Sequence, residues 1–146
     1  IVDYGIKDSM NMGAAMAPAA ADVICRHFSD FGRQIEEYDR VITGDLGTVG
    51  QEILHDLCRQ KGCDISAIHE DCGVQIYDAA KQGTGAGGSG CGWSAVTLSA
   101  FYLKKIESGK WKRILFVPTG ALLSTVSFNE GKTVPGIAHA VVIEHA

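Results

Sequence analysis

Three short segments pair glycines with small polar side chains in a way that suits ligand binding. They are Thr43-Gly44-Asp45-Leu46-Gly47-Thr48, the glycine-rich junction from Gly83 to Gly92, and Pro118-Thr119-Gly120. Glycine lets backbone N–H groups approach a ligand closely, and free N–H groups at a helix amino terminus favour an anion. The hydroxyls of Thr48 and Ser89 would add donors. The same glycines would also serve as turn geometry with no ligand at all. Gly85, Gly87 and Gly90 satisfy G-x-G-x-x-G, yet no clear strand runs into the motif and no acidic residue ends a strand about 20 residues on, as a dinucleotide site requires. Neither Gly109-Lys110 nor Gly131-Lys132 completes a G-x-x-x-x-G-K-[ST] loop, so nucleotide hydrolysis has no support.

Other residues of chemical interest are scattered. His69, Glu70, Asp71 and Cys72 adjoin each other and read as a solvated polar loop, since sequence neighbours seldom aim at one point. His27, His55 and His145 read as surface or helix-packing residues. His139 lies between Ala138 and Ala140 in an apolar closing segment and is the histidine to keep as a pocket candidate. Five cysteines, at 25, 58, 63, 72 and 91, make an odd and irregular set without CxxC spacing. They imply neither a disulfide framework nor a structural zinc site, and read as packing thiols in a reducing compartment.

Elements that could position the three segments alternate along the chain. Ile1 to Ile6 reads as a strand, Ala14 to Phe28 as a helix whose regular part starts near Pro18, and Asp39 to Thr43 as the next strand. A helix from Thr48 to Lys61 carries Val49, Ile53, Leu54 and Leu57 on one face and stops at Gly62. Val74 to Tyr77 is a weak strand or a short helical turn. A long helix from about Ser89 to Ser108 is apolar around nearly its whole circumference, which suits burial in a larger assembly. Ile114 to Val117 is a central strand, a loop runs from Pro118 to Ile137, and Ala138 to Glu144 is the closing strand. The expectation is an α/β fold, a mixed and mostly parallel five-stranded sheet with helices on both faces, in one domain over residues 1–146. Ligands of such sheets bind beyond the carboxyl ends of the strands, where the three segments converge.

Composition narrows the partners. At 146 residues the chain suits one domain, and 46% hydrophobic against 21% charged residues suits a packed core. A net charge of −4 offers no field for a phosphate backbone, so nucleic acid is not an expected partner. No apolar run is long enough to span a bilayer. The chain opens on Ile1 directly in what reads as a strand, which suggests a fragment.

Five segments carry a resemblance. They are Lys7 to Pro18, Thr43 to Gly47, Ala86-Gly87-Gly88-Ser89-Gly90-Cys91-Gly92, Pro118 to Leu123, and Val134-Pro135-Gly136-Ile137-Ala138-His139. In their β-α-β-α-(β)-α-β-loop-β order the chain resembles the carboxyl-terminal half of thiolase-fold proteins, and among them a sporulation branch. Trp93 departs from the small residue or cysteine the pattern would carry. Condensing enzymes of this fold hold a nucleophilic cysteine in the other half, and a histidine and an asparagine or second histidine in this one. Here Gly44 and Asp45 stand at the histidine position, Gly87, Gly88 and Ser89 at the asparagine position, and no cysteine follows Cys91. Glycine donates nothing to a developing oxyanion and aspartate repels it, so thioester condensation loses its stabilisation.

The resemblance therefore implies a catalytically inactive member. The sporulation branch serves the apparatus that takes calcium dipicolinate into the spore, with roles reaching germination, and binds dipicolinic acid. It implies a spore protein peripheral to the inner membrane, partnered by membrane-embedded components of that system and by a second copy of itself, with no cofactor or resident metal. Expected ligand-binding residues are Gly44, Asp45, Thr48, Gly87, Gly88, Ser89, Thr119, Gly120 and His139. Asp45 would cap the following helix or meet ligand-bound calcium. The alternative is an acyl-CoA or acyl-carrier-protein condensing enzyme, a ketoacyl synthase or thiolase-like acyltransferase, with relocated catalytic groups.

Overall fold

The computed structural model describes residues 1–146. Helix α1 spans Met12–Phe31, earlier than its apolar spacing suggested, because the Asn11 side chain accepts the Ala14 amide at 3.1 Å and starts the helix there. Pro18 thus lies in the second turn, where the bond it forgoes is the one to the Ala14 carbonyl. Gly32, at φ 60°, ends the helix by returning its N–H to Phe28 and Ser29. A single 3-10 turn, Ile35–Glu37, leads to strand β1, Arg40–Thr43, and then to helix α2, Gly47–Gln60.

Strand β2 is His69–Asp71, followed without a break by the short helix α3, Cys72–Gln75, and then by α4, Ala79–Gln82. The polar residues expected in a solvated loop therefore form the sheet edge, and Val74 belongs to a helix. The reason is that the β2 side chains find partners inside the protein, as described below. The glycine junction stays irregular to Gly92, and one helical rod follows: α5, Trp93–Thr97, a π-helical turn, Leu98–Tyr102, and α6, Leu103–Glu107.

Strand β3 is Arg113–Val117. The region read as a loop contains strand β4, Thr119–Ala121, helix α7, Thr125–Asn129, and strand β5, Gly136–Ala138. Strand β6, Val141–Glu144, closes the chain. The main sheet has four strands in the order β2-β1-β3-β6, with β1 parallel to β2 and β3, and β6 antiparallel to β3. Five strands were expected. The opening segment does not join this sheet and makes only a bridge from Val2 to Gly136. The single closing strand is divided at His139 and Ala140, so that β5 pairs with β4 in a second sheet while β6 joins the first.

The α/β class and the helices on both faces hold. Alternation along β1 and β3 sends Val41, Leu115 and Val117 into a core against α1 and α2, and Ile42, Ile114 and Phe116 into a second core with Tyr102, Ile106 and Trp111. Helices α1 and α2 cross at Gly13 and Gly50, where a Cβ on Gly50 would stand 2.8 Å from the Gly13 Cα. Along the α5–α6 rod Val96 and Phe101 remain 51% and 41% exposed. No helix is long and apolar enough to cross a membrane.

Candidate ligand site

At the carboxyl ends of β1 and β3 the chain turns away through Gly44-Asp45-Leu46 and Pro118-Thr119-Gly120. Gly44 has no room for a side chain, since a Cβ there would stand 2.7 Å from Ser94 Oγ and 2.8 Å from Thr119 Oγ1. The two turns can touch only because that position is bare. The glycine junction closes on them from the third side, tied to the start of α2 by Thr48 N–H donating to Ala86 O at 2.8 Å and to α3 by Gly88 N–H donating to Gly73 O at 2.8 Å.

Asp71, 1% exposed, is the hub behind these turns. One carboxylate oxygen accepts Thr43 Oγ1–H at 2.6 Å and Leu46 N–H at 3.0 Å. The other accepts the amides of Gly47, Gly73 and Val74 at 3.1, 3.0 and 3.2 Å. A single carboxylate thus caps both α2 and α3 and fixes the end of β1. Burial pushes its carboxyl above the ordinary range, against the opposing pull of these donors. Behind Thr43 runs a polar chain in which Thr43 Oγ1 meets His69 Nε2 at 2.9 Å and His69 Nδ1 meets His55 Nε2 at 3.0 Å. Because Thr43 gives its proton to Asp71, it must accept one from His69 Nε2, which leaves Nδ1 to accept from His55. That places a neutral His69 in the chain, and burial, with His55 beside it, lowers its pKa to about 3.

Asp45 does not cap α2, because Asp71 already does so. Its carboxylate instead accepts Ser89 Oγ–H at 2.7 Å, Gly90 N–H at 3.3 Å and Thr119 Oγ1–H at 3.4 Å. The three segments picked out in the sequence are therefore joined through one side chain. On one side of this latch lies a cleft of about 560 Å³ lined by Met12, Met16, Asp45, Ser89, Gly90, Cys91, Ser94, Ala95, Leu98, Phe116, Pro118, Thr119, Gly120 and Ala121. On the other lies a cleft of about 450 Å³ whose walls include Asn11, Gly13, Asp45, Leu46, Ala86, Gly87, Gly88 and Ser89. Asp45 is the single charged side chain in the two linings, and no histidine lines either.

Of the expected residues, Asp45, Ser89, Thr119 and Gly120 line the larger cleft and Gly87 and Gly88 the smaller one. Gly44 lies behind the wall. Thr48 is exposed on α2 and lines neither cleft, and His139 is exposed at the division between β5 and β6, with its N–H on Pro118 O at 3.2 Å. The sequence reading missed Asp71, although an Asp just ahead of Gly73-Val74 is a helix-cap signal. It also missed the apolar floor of Met16, Leu98 and Phe116, which comes from three separate elements. No group of three His, Cys, Asp or Glu side chains could hold a metal ion.

Comparison with known proteins bears on this geometry. The family model described as Stage V sporulation protein AD (SpoVAD) matches residues 1–144. The protein named Stage V sporulation protein AD from Bacillus subtilis (strain 168) is 45% identical over 146 residues, which is 100% of this chain and 43% of that protein. The chain therefore spans less than half the length of the curated relative it matches.

Proposed function

The chain belongs to the stage V sporulation protein AD family, and from that premise we propose that it forms one wall of a dipicolinate site in a non-catalytic component of the spore's calcium dipicolinate uptake system. The observation that carries this reading is the charge balance of the clefts. They offer hydroxyl and N–H donors from Ser89, Gly90 and Thr119, a lone carboxylate on Asp45, and no cation. Those donors suit a carboxylate ligand, and Asp45 already occupies them with a carboxylate of its own. A bare dianion would meet Asp45 without a counter-charge, whereas a calcium chelate brings its own. The planar ring would lie on the apolar floor of Met16, Leu98 and Phe116.

Catalytic inactivity is part of the same proposal. Cys91 is exposed in the larger cleft and is the group an acyl-transfer reading would use, but no histidine lines that cleft to take its proton. In the whole protein the site would operate at the spore's inner membrane, on a peripheral homodimer beside membrane-embedded partners.

Isothermal titration of the intact protein with dipicolinate, with and without calcium, beside a thiolysis assay with acyl-CoA, tests the proposal. Binding strengthened by calcium, with no turnover, is the expected result. Turnover without dipicolinate binding would overturn it. Ser89→Leu is expected to abolish binding, and normal binding by that variant would remove the glycine junction from the site.

A further inference from the structure

Ser89 is the side chain that the glycine junction sends to Asp45, and the glycines on either side of it lie against two aromatic rings that line neither cleft. A Cβ on Gly88 would stand 2.7 Å from Tyr77 Cε2, and a Cβ on Gly90 would stand 3.0 Å from Trp93 Nε1. The two rings meet edge to face, with centroids 5.6 Å apart and planes at 81°. From this arrangement we infer that Tyr77 and Trp93 are positioning residues, which hold Gly88 and Gly90 between them and so aim the Ser89 hydroxyl at the carboxylate site. The inference rests on the dipicolinate reading for the identity of the ligand, and it concerns residues outside the clefts.

Backbone conformation does not ask for glycine at these two positions. Neither Gly88 nor Gly90 has a positive φ, in contrast to Gly85 and Gly87 at 58° and 128°. What leaves no room for a side chain is the ring beside each. Ser89 itself is exposed on an irregular stretch, between Gly88 N–H, which donates to Gly73 O at 2.8 Å, and Gly90 N–H, which reaches the Asp45 carboxylate at 3.3 Å. A serine on such a stretch samples several backbone states, and a ligand that needs one of them bears the cost of ordering it. Rings packed against both neighbours remove that freedom before the ligand arrives.

Trp93 is tied to the junction by its own backbone, whose N–H donates to Gly90 O at 3.1 Å, while Thr97 Oγ1–H donates to Trp93 O at 2.8 Å. Its indole N–H is buried without an acceptor, so the ring acts through its shape. Phenylalanine would supply most of that shape without burying an orphaned donor.

The test places alanine and phenylalanine at each position in the intact protein. In residue-resolved hydrogen exchange without ligand, the Gly88 and Gly90 amides should exchange faster in Tyr77→Ala and Trp93→Ala, while the amides of β1 and β3 keep their protection. Tyr77→Phe and Trp93→Phe should exchange like the unchanged protein. Titration with dipicolinate and calcium should show binding weakened about fivefold in the alanine variants, the size of one edge-to-face pair, and retained in the phenylalanine variants. Binding should also alter Trp93 fluorescence through Gly90, a signal that Trp93→Phe removes while binding persists. Trp111, the other tryptophan of these residues, lies in the second core. Rings that served folding alone would give no such ligand-dependent signal. Alanine variants whose Gly88 and Gly90 amides exchange at the original rate, alanine variants that exchange faster yet bind dipicolinate unchanged, or binding without a Trp93-dependent signal would each overturn the inference. If the unchanged protein does not bind dipicolinate, the dipicolinate reading fails, and the aromatic clamp stands or falls on the exchange rates. Should an alanine variant fail to fold, leucine takes its place, filling the space without a flat face for the glycine.

Discussion

Asp45 and Asp71 show how two carboxylates at the end of β1, one just past it and one on the neighbouring strand, take different work. Asp71 is enclosed and spends its oxygens on the turns and helix starts, while Asp45 reaches outward and links Ser89, Gly90 and Thr119. If the proposed calcium-dependent site is correct, Asp45→Asn should raise affinity for bare dipicolinate, by about tenfold for removal of one nearby like charge, and reduce the gain from calcium. Titration with and without calcium checks both arms. Asp71→Ala leaves the amides of Leu46, Gly47 and Val74 without an acceptor, and should cost at least about 3 kcal/mol in urea unfolding. His69 gives a pH test. Its folded pKa is lowered from 6.5 to about 3 by burial, so between those values the unfolded chain takes up a proton that the folded chain refuses. The stability tied to neutral His69 is complete above pH 6.5 and drains away as pH falls through that window, by at most about 1.4 kcal/mol per pH unit. His69→Gln should flatten this part of the profile between pH 7 and 5, measured by urea unfolding against the unchanged protein. Asp45 and Ser89 could be found from the sequence because polar residues among glycines mark turns. Asp71 left only a helix-cap signal ahead of Gly73-Val74 and His69 none, because their other partners, Thr43 and His55, neighbour them only after folding.

Strands β1 and β3 and helix α2 could be read almost to the residue, since their apolar period and the Gly62 stop agree with where they pack. Other elements resisted for identifiable reasons. β2 is polar, and only the internal partners of His69 and Asp71 make it a strand, while the closing run was divided because Ala138 and Val141 serve different sheets. The π-helical turn from Leu98 to Tyr102 left no mark in the apolar pattern. Nor did the crossing of α1 and α2, which depends on Gly13, read as lying ahead of its helix, and Gly50, read as an ordinary residue inside its own. Gly50→Val should push the helices apart at the Gly13 backbone and cost about 1 to 3 kcal/mol, seen as a lowered Tm. Because α1 carries Met12 into both clefts and α2 begins beside Asp45, the same substitution should also weaken dipicolinate binding under the proposed function.

As a whole the molecule combines two packed cores with several uncovered apolar side chains, among them Val96, Phe101, Val126 and Phe128. The family relative is longer than this chain, and along the α5–α6 rod Val96 and Phe101 are left uncovered. With these side chains exposed, residues 1–146 should self-associate with rising concentration in sedimentation velocity. The ends of the chain meet in one place: Gly136 N–H donates to Val2 O at 2.8 Å, Val134 N–H to Ile6 O at 2.7 Å, and Thr133 Oγ1–H to an Asp3 carboxylate oxygen at 2.7 Å. These contacts join residues as far as 134 positions apart, Val2 and Gly136, so a folding chain must close its largest loop before any of them forms. The parallel strands β1 and β3, by contrast, can be assembled without the opening segment. The β4–β5 ribbon that carries Thr119 and Gly120 would then be braced only at the end of folding, and pulse-labelled hydrogen exchange should find the Val134 and Gly136 amides protected after those of β1 and β3. Ligand competence would be the last property this chain acquires.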